Sequence, residues 1–188
     1  GPGPRPPNPR IIFFRLAASR EAGTLAVLGG PTVQIFDIDA SGEEAPLRSL
    51  VGWSVGWTGL TDLVFSGTNL LVSDDAGVHR LVGPGWWRSG TLAGFESGAL
   101  GSSYLAATPT DTFVAEVRLR SIAVHPIFAS GDPPPTRVLG ASTGFRQVRS
   151  LAVEGSELHL HTPDGFLTFD ADASGTDAPL RSLLWTGD

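Results

Sequence analysis

Phe36-Asp37-Ile38-Asp39-Ala40-Ser41-Gly42-Glu43-Glu44-Ala45-Pro46-Leu47-Arg48-Ser49-Leu50 returns as Phe169-Asp170-Ala171-Asp172-Ala173-Ser174-Gly175-Thr176-Asp177-Ala178-Pro179-Leu180-Arg181-Ser182-Leu183. The offset is 133 residues (169 − 36), about three periods of 44. A period of that size marks a tandem array, in which each unit buries its apolar face only against its neighbours. Working outward, the arginine of the phrase has weaker copies at Arg10, Arg88 and Arg137, spaced 38 to 49 residues apart. A second landmark follows it in Trp57-Thr58-Gly59-Leu60, Ser142-Thr143-Gly144-Phe145 and Trp185-Thr186-Gly187.

Each unit reads as four short strands divided by Gly, Asp, Pro and Ser turns. The first unit gives Phe13–Ala18, Thr24–Leu28, Thr32–Ile38 and Leu47–Val51. The second gives Leu60–Phe65, Asn69–Ser73, Gly77–Val82 and Arg88–Ala93. The third gives Ser103–Ala107, Thr112–Val117, Leu119–Phe128 and Arg137–Leu139. The fourth gives Val148–Val153, Glu157–Thr162, Gly165–Phe169 and Leu180–Leu184. Ser66-Gly67-Thr68, Asp74-Asp75-Ala76-Gly77, Gly155-Ser156 and Pro163-Asp164-Gly165 are hairpin signals.

No stretch of ten residues carries a helical apolar period, so the chain reads as all-β. Sixteen strands in four units predict a four-bladed β-propeller of four-stranded antiparallel sheets. The blades fall at about 10–52, 53–94, 95–140 and 141–188, after a disordered Pro/Gly-rich segment at 1–9. A β-sandwich of duplicated hairpins is the competing fold. Arg10-Ile11-Ile12 supplies a fifth outer strand for four blades. The array is therefore a closed monomeric ring with a clasp, a piece of a longer array, or half of an eight-bladed ring made by two chains.

The pattern Ala-Ser-Gly-x-x-Ala-Pro-Leu-Arg-Ser-Leu, continued by Thr-Gly-Leu, resembles the NHL-type propeller repeats of bacterial secreted and cell-surface proteins. The resemblance implies that Pro-Leu-Arg lies on the outer strand and Thr-Gly-Leu leads into the next inner strand. It also implies a binding scaffold, without enzymatic activity, in an extracytoplasmic setting.

Composition agrees with a folded β protein: 41% of residues are apolar and 17% charged, with 24 Gly and 15 Pro. The net charge is −6 and all 13 basic residues are arginine, with no basic run to meet the phosphates of a nucleic acid. The absence of cysteine excludes disulfides and thiolate metal sites. No apolar run approaches the 18 or so residues of a spanning helix.

Asp37-Ile38-Asp39-Ala40-Ser41-Gly42 and Asp170-Ala171-Asp172-Ala173-Ser174-Gly175 resemble the opening of a calcium loop, with Asp37, Asp39, Ser41, Asp170, Asp172 and Ser174 as candidate ligands. The twelfth position, where an EF-hand needs a bidentate Glu, is Arg48 or Arg181. Such Asp-rich turns equally close on their own backbone. His159 and His161 point to one face of a strand and read as ordinary half-buried residues.

The tryptophans are the best functional lead. Loops leaving an outer strand and loops between second and third strands open on one face of a propeller. Trp53 and Trp57 fall in the first kind, Asp74 and Asp75 in the second, and Phe145 and Arg146 decorate the same face elsewhere. Aromatic plates beside carboxylates suit a protein partner's side chain, or a sugar in a lectin-like alternative. A third alternative is a propeller enzyme with His79, Asp74 and Asp75 converging on the central tunnel. Trp57 has a structural reading as a wedge between blades. Trp86-Trp87 reads as a cover for the blade edge or as an external contact patch, and the recurring Arg as the partner of Glu43, Glu44 or Asp177.

Overall fold

The computed structural model of the chain describes residues 14–83, 85–94, 99, 103–116, 120–140 and 147–185. The first sheet contains β1 (Phe14–Ser19), β2 (Thr24–Gly29), β3 (Thr32–Asp37) and β4 (Arg48–Val51). A single helical turn, α1 (Gly52–Val55), leads to β5 (Asp62–Ser66), β6 (Asn69–Asp74), β7 (Gly77–Val82) and β8 (Trp87–Leu92). The third sheet holds β9 (Ser103–Ala107), β10 (Asp111–Glu116), β11 (Ile122–Pro126) and β12 (Arg137–Leu139). The fourth holds β13 (Ser150–Glu154), β14 (Glu157–Thr162), β15 (Gly165–Asp170) and β16 (Arg181–Leu184). Every sheet is an antiparallel meander in chain order. The four are arranged as the blades of a four-bladed β-propeller; no sandwich forms.

Strand alternation explains the stacking. In the first blade Ala26, Leu28, Val33, Ile35 and Leu50 fall on one face and meet Leu63, Leu70, Val72 and Leu81 of the second. Leu71, Val78 and Leu92 leave the other face of the second blade to meet Leu105 and Val114 of the third. The third blade's Phe113, Ala115, Ile122, Val124 and Leu139 then cover Leu158, Leu160 and Phe169 of the fourth. Each fully buried aliphatic or phenyl side chain contributes about 1.5–3 kcal/mol, so these three cores are the main source of cohesion.

A backbone strap reinforces two of the junctions. Leu92, ending β8, bridges Gly131 of the next blade in parallel, and Leu139, ending β12, bridges Gly175 in the same way. Gly175 N donates to Val138 O at 2.7 Å, and its carbonyl accepts from Gly140 N at 3.0 Å. Both bridged glycines have positive φ, 80° and 60°, which glycine adopts without a Cβ clash.

All sixteen strands foreseen in the sequence form, with ends that move by a residue or two except in the third blade. There the expected Leu119–Phe128 run gives the strand Ile122–Pro126: its end comes where Ala129 N turns back to Pro126 O at 2.9 Å, and Leu119 lies outside the described residues. The N-terminal segment at 1–9 and the strand expected at Arg10–Ile12 lie outside the described residues. The inner strands line a concavity of about 410 Å³. At its edge Asp62 Oδ2 accepts from Leu105 N at 3.0 Å, tying the second blade to the third.

Candidate functional site

The connection from the first blade to the second is built tightly from its sequence. Gly52 N donates to Pro31 O at 2.7 Å, and a Cβ on Gly52 would stand 2.9 Å from that carbonyl, so the site admits only glycine without a shift. One turn later Gly56 takes the left-handed conformation, φ 74°, and its N–H returns to Gly52 O. The chain reverses and drives Trp57 inward, where its indole stacks on the His79 imidazole with centroids 6.0 Å apart.

Asp74 organises what surrounds this pair. Its Oδ1 accepts from Ala76 N and Gly77 N at 2.8 and 3.1 Å, closing the β6–β7 turn. Its Oδ2 accepts from Thr58 N at 3.0 Å, fastening the loop that arrives from the first blade. Thr58 O in turn accepts from Asp75 N at 2.9 Å. His79 Nε2 approaches Asp74 Oδ1, and His79 Nδ1 lies 3.1 Å from Thr91 Oγ1. Burial pushes the Asp74 carboxyl up, but the His79 contact and the N–H groups of Thr58 and Ala76 outweigh it and hold it below its ordinary value of 3.8. Asp62 differs: there burial prevails over the N–H groups of Leu105 and Leu63 and the Arg15 charge, so its carboxyl is raised.

This geometry corrects the expected partner-facing set. Trp57 and Asp74 are buried, because the loop needs their ring and carboxylate as internal braces. Asp75 is exposed, its carboxylate lying where a Cβ on Gly59 would be. Trp53 belongs to α1, on the same loop. Phe145 and Arg146 lie outside the described residues. His79 and Asp74 do pair, but inside the second blade and away from the concavity lined by the inner strands.

The Asp-rich repeats serve their own turns. Asp37 Oδ1 accepts from Asp39 N at 2.9 Å, Asp170 Oδ1 from Asp172 N at 2.8 Å, and Asp177 Oδ2 from Ser174 N at 2.8 Å. Ser41 is exposed beside Gly42. Among the described residues no group of three or more His, Asp or Glu could hold a metal ion. The repeated arginines find partners other than those foreseen: Arg137 meets Asp172 and Arg181 meets Glu157, while Arg48 lies over the Trp87 ring, 5.6 Å from its centroid.

That last contact borders a concavity of about 500 Å³ between the first two blades, on the side opposite the Asp74 turn. Trp86 lies in its floor, braced edge-on by Phe65. Leu47, Arg48, Glu21, Ala22 and Thr68 form its walls. Leu47 and Trp87 stand exposed beside it. The Trp86-Trp87 pair hinted at this patch, but the concavity needs the β3–β4 and β7–β8 connections side by side, a tertiary fact.

No family model and no curated protein matches the chain. Among solved structures it is similar to the WD40 β-propeller domain of Doa1, with TM-score 0.62 and 14% identity over 90% of this chain and 54% of that one. The fold is a WD40-like β-propeller. An active polycomb repressive complex 2 contains a similar chain (TM-score 0.60, 14% identity, 85% of this chain and 38% of that one). The computationally designed Ika4 protein is similar over 82% of this chain and 88% of its own, with TM-score 0.59 and 16% identity. The present chain thus spans about half or less of the first two. At these identities the likeness establishes the fold alone.

Proposed function

We propose that the chain is a non-enzymatic binding module that holds an extended segment of a protein partner in the groove between its first and second blades. The observation that carries this reading is the groove itself: a tryptophan floor, an exposed leucine wall and one charge of each sign, Arg48 and Glu21, at its sides. An apolar side chain seated on Trp86 and Leu47, with a carboxylate beside Arg48, fits that chemistry. WD40-like propellers commonly serve as interaction scaffolds, and one structural neighbour belongs to a named protein complex. A sugar ligand is less well served, since Trp57, one of its two supposed plates, is turned inward. Kinship with NHL-type repeats and an extracytoplasmic setting belong to the same reading, supported by the repeated Pro-Leu-Arg phrase.

Panning a random-peptide phage library on the protein tests the groove. Peptides pairing an apolar anchor with an acidic neighbour are expected, and Leu47→Asp or Arg48→Glu removes their enrichment. Enrichment that survives both substitutions, or none above an unrelated protein, sinks the reading.

A further inference from the structure

One pair of positions recurs in every blade. Val33–Leu50, Val78–Leu92, Ile122–Leu139 and Phe166–Leu183 stand opposite each other across the third and fourth strands of their sheets. In the first three blades both members are buried in the core shared with the following blade. In the fourth, Phe166 is 44% and Leu183 64% exposed, where Val33 and Leu50 are 0% and 4%. Leu184 and Trp185 are exposed just beyond.

The first blade shows the complementary vacancy. Leu70, Val72 and Leu81 of the second blade, and Leu158, Leu160 and Phe169 of the fourth, are buried on the face that receives the preceding blade. Their counterparts Leu25, Val27 and Phe36 are only half-buried, and no core cluster among the described residues includes them. Among the described residues, then, these two free faces are the two halves of a junction that the molecule already builds internally.

Two finer contacts point the same way. Gly42 matches Gly175 in the repeated phrase and shares its left-handed φ, 66° against 60°, yet among the described residues no bridge to an outer strand falls on Gly42. Arg137 donates to Ala171 O at 2.8 Å and lies 3.4 Å from Asp172 in the following blade. The matching trio is Arg181, Ile38 and Asp39, and here Arg181 folds back onto Glu157 instead.

We propose that a second copy of this chain covers both free faces, giving an eight-bladed ring with two identical junctions. In each, the fourth blade of one copy seats on the first blade of the other. Phe166 and Leu183 then pack on Leu25, Val27 and Phe36. The outer strand reaches Gly42, and Arg181 exchanges Glu157 for Asp39. A head-to-tail contact that closes after two copies forms a discrete ring rather than a filament. The groove of Leu47 and Trp86 lies between the first two blades, so this inference stands apart from the proposed function.

Light scattering on the size-fractionated 188-residue chain tests it. The expected mass is twice that of one chain and does not change with concentration. Leu183→Asp and Gln34→Arg, both at exposed positions on the two free faces, are each expected to halve it while leaving the far-ultraviolet β spectrum unchanged. A single-chain mass for the unaltered protein overturns the proposal and leaves the faces to further blades of its own polypeptide. A mass that climbs with concentration, or a dimer that survives either substitution, overturns it equally.

Discussion

His79 Nε2 stands 2.8 Å from Asp74 Oδ1, with both side chains shut away from water. The pair joins three backbone pieces: the β6–β7 turn, the loop arriving from the first blade, and the last strand of the second blade through Thr91. Removing the carboxylate orphans several N–H groups together. Asp74→Ala is expected to cost about 3 kcal/mol, the scale for a buried, charge-assisted network. Urea unfolding followed by tryptophan emission measures it, and a loss under about 0.5 kcal/mol would contradict the network's role.

The two buried carboxyls are expected to titrate on opposite sides of 3.8, Asp74 below and Asp62 above. Asp74 therefore lends stability that is present above 3.8 and is lost as pH falls through its lowered folded value. Asp62 acts the other way: its contribution is full at low pH and is lost as pH rises through its raised value. Carboxyl-carbon NMR titration gives the order directly. The reverse order would overturn both assignments, and Asp74→Asn is expected to flatten the acid limb of the stability curve.

Trp57 fills the space between the first two blades and rests on His79. Trp57→Ala is expected to lower stability by about 3–5 kcal/mol, as for other buried aromatic truncations. Unchanged thermal or urea midpoints would show that the loop collapses to refill the site.

Gly77 and Gly165 open the third strands of the second and fourth blades at φ 141° and 144°. A Cβ would stand 2.3 Å from Leu92 O in one and 2.1 Å from Leu183 O in the other. Alanine at either position is expected to destabilise by more than about 1 kcal/mol, the clash adding to the strain. Differential scanning calorimetry resolves the shift, and an unaltered transition would mean that the outer strand moves aside freely.

Leu47 is exposed at the groove wall and contributes little to any core. Leu47→Asp is accordingly expected to leave stability within about 0.5 kcal/mol while it removes peptide capture. A large fall in the unfolding midpoint would show that Leu47 holds the fold together.

The strands were legible because period-two alternation and Gly, Asp and Pro turns are local signals, and the repeated phrase confirmed their spacing. The site was legible only by loop. Sequence placed Trp57 and Asp74 in neighbouring loops of adjacent blades, and Asp74 Oδ2 does accept from Thr58 N. It could not say that both would turn inward, because that depends on His79 and Thr91 standing two strands deep behind them. The groove was hidden for a similar reason: Leu47 and Trp86 are 39 residues apart in sequence (86 − 47), and only the stacking of two blades makes them walls of one space.

Both glycine bridges among the described residues run from an outer strand to the blade that follows it, from Leu92 to Gly131 and from Leu139 to Gly175. The array therefore has a polarity, like links that hook in one direction only. Each unit so linked presents one end to the blade before it and the other to the blade after it, in keeping with a sequence in which one fifteen-residue phrase returns nearly unchanged.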